Sequence, residues 1–183
     1  MRFVAVDGPA GSGKTTFAGR LANALGARAA TVAEIHVDDL LEGWTGLDSF
    51  WPRMREQVLE PLSRGADACY QRYDWVRDRF DEEWMALAVP DVLVLEGVSS
   101  ARGAGDAVRS LGVYVYADRA QRLDRGIRRD GEGLRAQWMR WMTEEDRHFA
   151  DEATTRRADL LVDGAPTVAH DPEHEYVLLP EML

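Results

Sequence analysis

Short apolar runs alternate with amphipathic stretches along most of this chain. Arg2-Phe3-Val4-Ala5-Val6-Asp7 is an apolar run ending at glycines, the pattern of a strand buried on both faces. Phe17, Leu21 and Leu25 follow at four-residue spacing, which predicts a helix from about Lys14 with Gly26 as its stop. A second strand is predicted over 32–37, delivering Asp38 and Asp39 at its carboxyl end. Phe50, Met54, Val58 and Leu62 share one face of a helix predicted over 48–64. Val92-Leu93-Val94-Leu95 is the clearest buried strand and runs directly into Glu96-Gly97. Val113-Tyr114-Val115-Tyr116 is another, followed by an arginine-rich helix over 119–130 and a further helix over 134–153. Leu160-Leu161-Val162 gives a last short strand, and the segment after Pro166 carries no readable pattern. Strands alternating with helices predict a three-layer α/β fold with a parallel five-stranded sheet and right-handed crossovers.

Composition narrows the functional classes. A chain of 183 residues fits one domain, able to bury roughly 70% of its unfolded surface. With 45% hydrophobic and 30% charged residues it reads as soluble and globular. A formal net charge of -10 argues against polymeric nucleic acid or an anionic membrane as partner. Cys69 is the single cysteine, so an intramolecular disulfide is excluded; it reads as a packed small residue in a reducing cytoplasm. No apolar stretch approaches the roughly 20 residues of a membrane span.

Of the 22 basic residues, the only lysine is Lys14. It lies in Gly8-Pro9-Ala10-Gly11-Ser12-Gly13-Lys14-Thr15, a complete G-x-x-x-x-G-K-[ST] phosphate loop set between a predicted strand and a predicted helix. The glycines let the backbone curl so that successive N–H groups converge on phosphate oxygens, and the helix N-terminus favours the same anion. Gly8, Ala10, Gly11, Ser12, Gly13, Lys14, Thr15 and Thr16 are therefore the expected nucleotide-binding residues. Lys14 is expected to reach the β- and γ-phosphates, and Thr15 to ligate Mg²⁺. A compact ammonium suits that cradle better than a planar guanidinium.

A guanine-reading Asn-Lys-x-Asp cannot exist in a chain whose one lysine is Lys14, which excludes the switch GTPases. The strand ending Leu95-Glu96-Gly97 is unlike the Asp or Asp-Glu ending of motor and transporter ATPases. A small-molecule or nucleotide kinase remains.

Val6-Asp7-Gly8-Pro9-Ala10-Gly11-Ser12-Gly13-Lys14-Thr15, His36-Val37-Asp38-Asp39-Leu40, Tyr73-Asp74-Trp75 and Val94-Leu95-Glu96-Gly97 together resemble the uridine kinase-like nucleoside kinases. Arg122-Leu123, Arg125, Arg129-Asp130 and Ala158-Asp159-Leu160-Leu161-Val162 continue the resemblance, which runs from about residue 2 to 165. It implies a phosphate-loop kinase fold, ATP and Mg²⁺ as cofactors, and phosphorylation of a nucleoside-type hydroxyl. Asp38 matches the family's catalytic aspartate, although Val37 and Leu40 stand where the family often has Gln and an aromatic. Asp39 is the alternative base or a contact to the acceptor. Glu96 is expected to hold a Mg²⁺-bound water. Tyr73, Asp74 and Trp75 resemble the segment that touches the acceptor's sugar and base.

Arg125 and Arg129 share a helical face and have the Arg-x-x-x-Arg spacing of a kinase lid, here placed over 119–135. His36 and His148 read as structural. Two other readings stay open: a cytidylate-like nucleoside monophosphate kinase, with Arg53, Arg72, Arg77 and Arg79 as candidates to bind the acceptor's phosphate, and a nucleotide-binding regulator without transferase activity.

Overall fold

The computed structural model describes residues 1–28 and 30–179. Five strands form one parallel sheet: β1 (Arg2–Asp7), β2 (Val32–His36), β5 (Val92–Glu96), β6 (Arg109–Tyr116) and β7 (Leu160–Asp163), in the order β2-β5-β1-β6-β7. Each is in the place the apolar runs predict. The runs are nearly continuous because both faces are covered. Val4, Val6, Val92 and Val94 point to one face and pack with Phe17, Leu21 and Leu25 of α1 (Lys14–Gly26). Phe3, Ala5, Leu93 and Leu95 point to the other, against Phe50, Met54, Val58, Leu62 and Trp141.

The helix predicted over 48–64 is present in three joined parts: α2 (Phe50–Met54), a π-helical turn (Arg55–Leu59) and α3 (Glu60–Ser63). Pro61 offers no N–H to the turn before it, and the helix widens there. The arginine-rich helix is α4 (Arg119–Asp130), followed by α5 (Arg135–Glu152) and the short α6 (Thr154–Arg157). No helix among the described residues is long and apolar enough to cross a membrane.

An antiparallel hairpin, β3 (Ala68–Asp74) and β4 (Arg79–Leu87), had no counterpart in the hydropathy reading. Its second strand carries Asp81, Glu82 and Glu83 and is largely exposed, so it lacks the apolar signal of the main sheet. Ala68, Tyr70 and Tyr73 of β3 are buried. Cys69 alternates with them and is exposed, contrary to its expected packing, because neighbouring side chains on a strand point to opposite faces.

The carboxyl ends of the parallel strands all open on one edge of the sheet. The loop 8–13, Asp38, Glu96-Gly97 and Asp163-Gly164 therefore meet there, where open α/β sheets bind their ligands.

Candidate active site

The phosphate loop is anchored from both ends. Asp7, wholly buried at the end of β1, accepts N–H groups from Gly8 (2.7 Å), Ser99 (2.8 Å) and Ala101 (2.9 Å). Burial nevertheless pushes its carboxyl up to about 6. Lys14 opens α1, and its Nζ donates to the Pro9 carbonyl at 3.1 Å. Behind the loop the Ala10 N–H donates to Glu145 Oε2 of α5 at 2.8 Å. Glu145 is fully buried and also accepts from Arg122 of α4 at 2.5 Å. Burial pushes the Glu145 carboxyl up, while the Ala10 N–H and Arg122 pull it back.

Thr15 Oγ1 donates to Glu96 Oε1 at 3.1 Å. His36 Nδ1 lies 2.6 Å from the same oxygen, and this hydrogen bond raises the imidazole's pKa. A hydroxyl beside a buried carboxylate is an all-oxygen donor set of the kind that suits Mg²⁺ held through few protein ligands, waters and phosphates.

Asp38 lies in the 3₁₀ turn Val37–Asp39 that leaves β2. Gly97 makes this placement possible: its φ is 139°, and a Cβ there would lie 2.5 Å from the Val37 Cβ. The turn can thus press directly against the end of β5, beside Glu96. The Trp75 indole Nε1–H donates to the Asp38 carbonyl at 3.0 Å and fixes the turn from the hairpin. The Asp38 side chain is open to the cleft, but the protein groups crowded around it desolvate the carboxyl and raise its pKa; Lys14 opposes this, Glu96 adds to it, and Arg129 and His36 oppose it. Asp38 therefore feels the fields of Lys14, Glu96 and Arg129 together.

These groups border one cleft of about 960 Å³. Of the expected nucleotide contacts, Ala10, Gly11, Gly13, Lys14, Thr15 and Thr16 line it, as do Asp38, Glu96, Arg125 and Arg129. Gly8 and Ser12 do not; they are buried inside the loop's own turn, where the Ser12 N–H donates to Pro9. Arg125 donates to the carbonyls of Gly11 (3.0 Å) and Gly164 (3.1 Å), spanning the loop and the end of β7. Arg129 pairs with Asp130 through two bonds of 2.7 and 3.0 Å. Arg122, which belongs to the arginine cluster in sequence, is buried against Glu145 rather than exposed on α4.

The four expected acceptor contacts divide. Trp75 lines the cleft. Asp39 does not; it is ion-paired with Arg72 at 3.2 Å. The Tyr73 hydroxyl points away and donates to Asp78 at 2.6 Å, and Asp74 caps the hairpin turn by accepting N–H groups from Val76 and Arg77. Tyr73 and Asp74 serve the hairpin, whose tight turn needs its own polar partners, and Asp39 ties the turn after β2 to β3. The hydropathy pattern did not single out Leu41 and Trp44, which line the same end together with Trp138 and Trp141. Trp44 sits edge-on to both Trp75 and Trp141, with ring centroids 5.8 Å apart in each pair. A four-residue arginine or glycine spacing is visible in sequence, whereas a wall assembled from a 3₁₀ stretch, a hairpin and α5 is not.

The AAA domain family matches residues 4–157 of this chain. No curated protein matches the sequence. Among solved structures, a possible uridine kinase from Bacillus stearothermophilus aligns with a TM-score of 0.66 at 22% identity, covering 87% of each chain. A putative fructose transport system kinase from Silicibacter sp. TM1040 aligns with a TM-score of 0.53 at 20% identity, covering 85% of this chain and 79% of that one. A D-glycerate 3-kinase from Cryptococcus neoformans var. grubii aligns with a TM-score of 0.50 at 16% identity, covering 84% and 76%. The chain belongs to the AAA domain family (AAA_18), and its fold is that of the uridine kinase-like phosphate-loop kinases.

Proposed function

We propose that this protein is a small-molecule kinase that transfers the γ-phosphate of ATP to the hydroxyl of a neutral acceptor with a flat or apolar face, a nucleoside being the leading candidate. The convergence of Asp38, Lys14, Glu96 and Arg129 on one cleft carries this reading. A pure nucleotide binder has no use for a carboxylate set in the cleft beside the loop lysine. Phosphoryl transfer is catalysed mainly by positioning and charge neutralisation. Asp38 takes the acceptor hydroxyl's proton as that oxygen bonds to the γ-phosphorus, and the bond to the β-phosphate oxygen breaks to leave ADP. Lys14 and Arg129 offset the charge on the transferring group. Mg²⁺, when bound, would draw charge from the phosphates; Thr15 is its ligand in this reading, and Glu96 holds one of its waters.

The acceptor end supports a neutral substrate. It is walled by Leu41, Trp44, Trp75, Trp138 and Trp141, which favour ring stacking over ion pairing. None of the arginines that would bind an acceptor phosphate lines the cleft. Arg72 is paired with Asp39, Arg77 with Asp74, and Arg53 lies 3.6 Å over the Phe80 ring. This disfavours the nucleoside monophosphate kinase reading.

ADP release measured over a panel of nucleosides, nucleoside monophosphates and small alcohols tests the proposal. Turnover with a neutral ring-bearing alcohol is the expected result. ADP release that no acceptor raises above background hydrolysis would overturn it.

A further inference from the structure

The arginines of α4 have different surroundings. Arg122 is buried against Glu145, and Arg125 is held by the Gly11 and Gly164 carbonyls. Arg128 pairs with Asp124 one turn back at 3.0 Å, where both side chains are well exposed and such a pair contributes little. Arg129 differs from all of these. Its side chain is mostly exposed, yet its fork is closed on Asp130, through Nε at 2.7 Å and Nη2 at 3.0 Å.

Asp130 is itself held. The indole Nε1–H of Trp138, on α5, donates to Asp130 Oδ2 at 2.9 Å, the oxygen that also accepts Arg129 Nη2. Hydrogen bonds from Arg129 and Trp138 keep the Asp130 carboxyl below the ordinary aspartate range, so it stays ionised. Trp138 is almost wholly buried and packs on Gly126, one turn before Asp130, where a Cβ would come within 2.5 Å of the indole. Glycine weakens a helix interior, and position 126 needs it for the room this ring takes. The Arg129 guanidinium carbon lies 5.7 Å from the centroid of the same ring.

We propose that Asp130 and Trp138 are positioning residues that hold the Arg129 guanidinium ready for the transferring phosphate. The inference rests on the kinase reading above. A mobile arginine must be ordered during the reaction, whereas a seated one offsets the developing charge without reorganisation. Asp130 takes Nε and Nη2, which leaves Nη1 to donate to a phosphoryl oxygen. The seat also fixes where this charge stands: Arg129, Asp130, Trp138 and Asp38 line one cleft, and the Arg129 charge acts on Asp38.

Steady-state ADP release with the fastest acceptor of the panel above tests this, and heteronuclear NMR of the arginine Nε–H groups gives a measurement independent of turnover. Asp130→Asn keeps the side chain's shape but loses its charge and one accepting oxygen; it is expected to lower kcat about tenfold, with the KM for ATP and for the acceptor within about twofold of wild type. Trp138→Phe keeps a ring without the N–H and should lower kcat about threefold. In an Arg129→Ala chain neither substitution should lower kcat further, because both act through the guanidinium. The Arg129 Nε–H signal should exchange slowly with water in the wild type and rapidly in Asp130→Asn. Wild-type kcat in Asp130→Asn overturns the inference, as do effects that multiply with Arg129→Ala or a Trp138→Phe change confined to the acceptor KM. An Arg129 Nε–H that exchanges freely in the wild type also overturns it, with the kinase reading intact. A wild-type chain that turns over no acceptor refutes the kinase reading and this inference with it.

Discussion

Glu145 holds the phosphate loop from behind: its Oε2 accepts the Ala10 N–H at 2.8 Å while Oε1 accepts Arg122 at 2.5 Å. A loop residue, the base of α4 and the middle of α5 are thereby tied through one buried carboxylate. Removing one partner of such a pair strands the other charge, at about 3–5 kcal/mol. Glu145→Ala is expected to lose stability of that order in urea denaturation. The double replacement Arg122→Met with Glu145→Leu should recover much of it, leaving mainly the orphaned Ala10 N–H.

Asp38 must be ionised to accept a proton, and desolvation by the groups crowded around it raises its pKa. The acidic limb of kcat/KM should therefore lie above the ordinary aspartate value of about 4, with activity lost as pH falls through it. Asp38→Asn should lower kcat about 10²–10⁴-fold, abolish that limb and leave ATP affinity nearly unchanged. Near-normal turnover in this variant would remove Asp38 from the mechanism.

The Asp7 carboxyl, pushed up to about 6 by burial, binds its proton more tightly in the folded chain than in the unfolded one. Its contribution is complete below the ordinary value near 3.8 and is lost as pH rises through about 6. Folding stability should fall over that window by up to about 3 kcal/mol from this group. Asp7→Asn should be less stable overall, because its amide nitrogen cannot accept the Ala101 N–H that Oδ2 accepts, and should show a flatter pH dependence. Denaturant midpoints at pH 4, 5, 6 and 7 for both proteins measure the difference.

A methyl group on Gly97 would meet Val37 at 2.5 Å and occupy a backbone conformation at φ 139°. Gly97→Ala is expected to destabilise the fold by about 1–3 kcal/mol. Because it displaces the turn bearing Asp38, kcat should fall in the folded fraction while nucleotide binding persists. Wild-type kcat in the folded variant would show that the turn tolerates the shift.

Trp44 lines the cleft, where the proposed reading puts the acceptor, and the Trp75 rather than the Trp44 indole bonds the Asp38 carbonyl. Trp44→Ala should raise the acceptor KM about tenfold, the value of one aromatic contact, with the KM for ATP unchanged. Trp75→Phe keeps a ring but loses the bond to the Asp38 carbonyl, so it should lower kcat more than it raises KM.

How far the site was legible follows from its physics. That Lys14, Thr15, Gly11 and Gly13 line one cleft could be read from the sequence, because a phosphate cradle is built from neighbouring residues on one turn. Arg125 and Arg129 were readable because helical geometry relates residues four apart. Asp39, Tyr73 and Asp74 were assigned to the acceptor by their position in a family-like segment, yet they pair with Arg72, Asp78 and the hairpin turn. The hairpin's turn and its packing against the turn after β2 decide that. Cys69 was read as packed for the same reason: its strand, and so its alternation, was not recognised.

The sequence by itself determined the five buried strands, the helices between them and the phosphate loop, since each depends on local periodicity and short-range geometry. Tertiary structure alone decided that Arg122 lies buried on Glu145, that Trp44, Trp75, Trp138 and Trp141, from three separate elements, line one cleft, and that the segment after Pro166 borders the same cleft. Those arrangements join residues far apart in the chain, and the free energy that selects them comes from burial and pairing that exist only once the sheet has brought its carboxyl ends together.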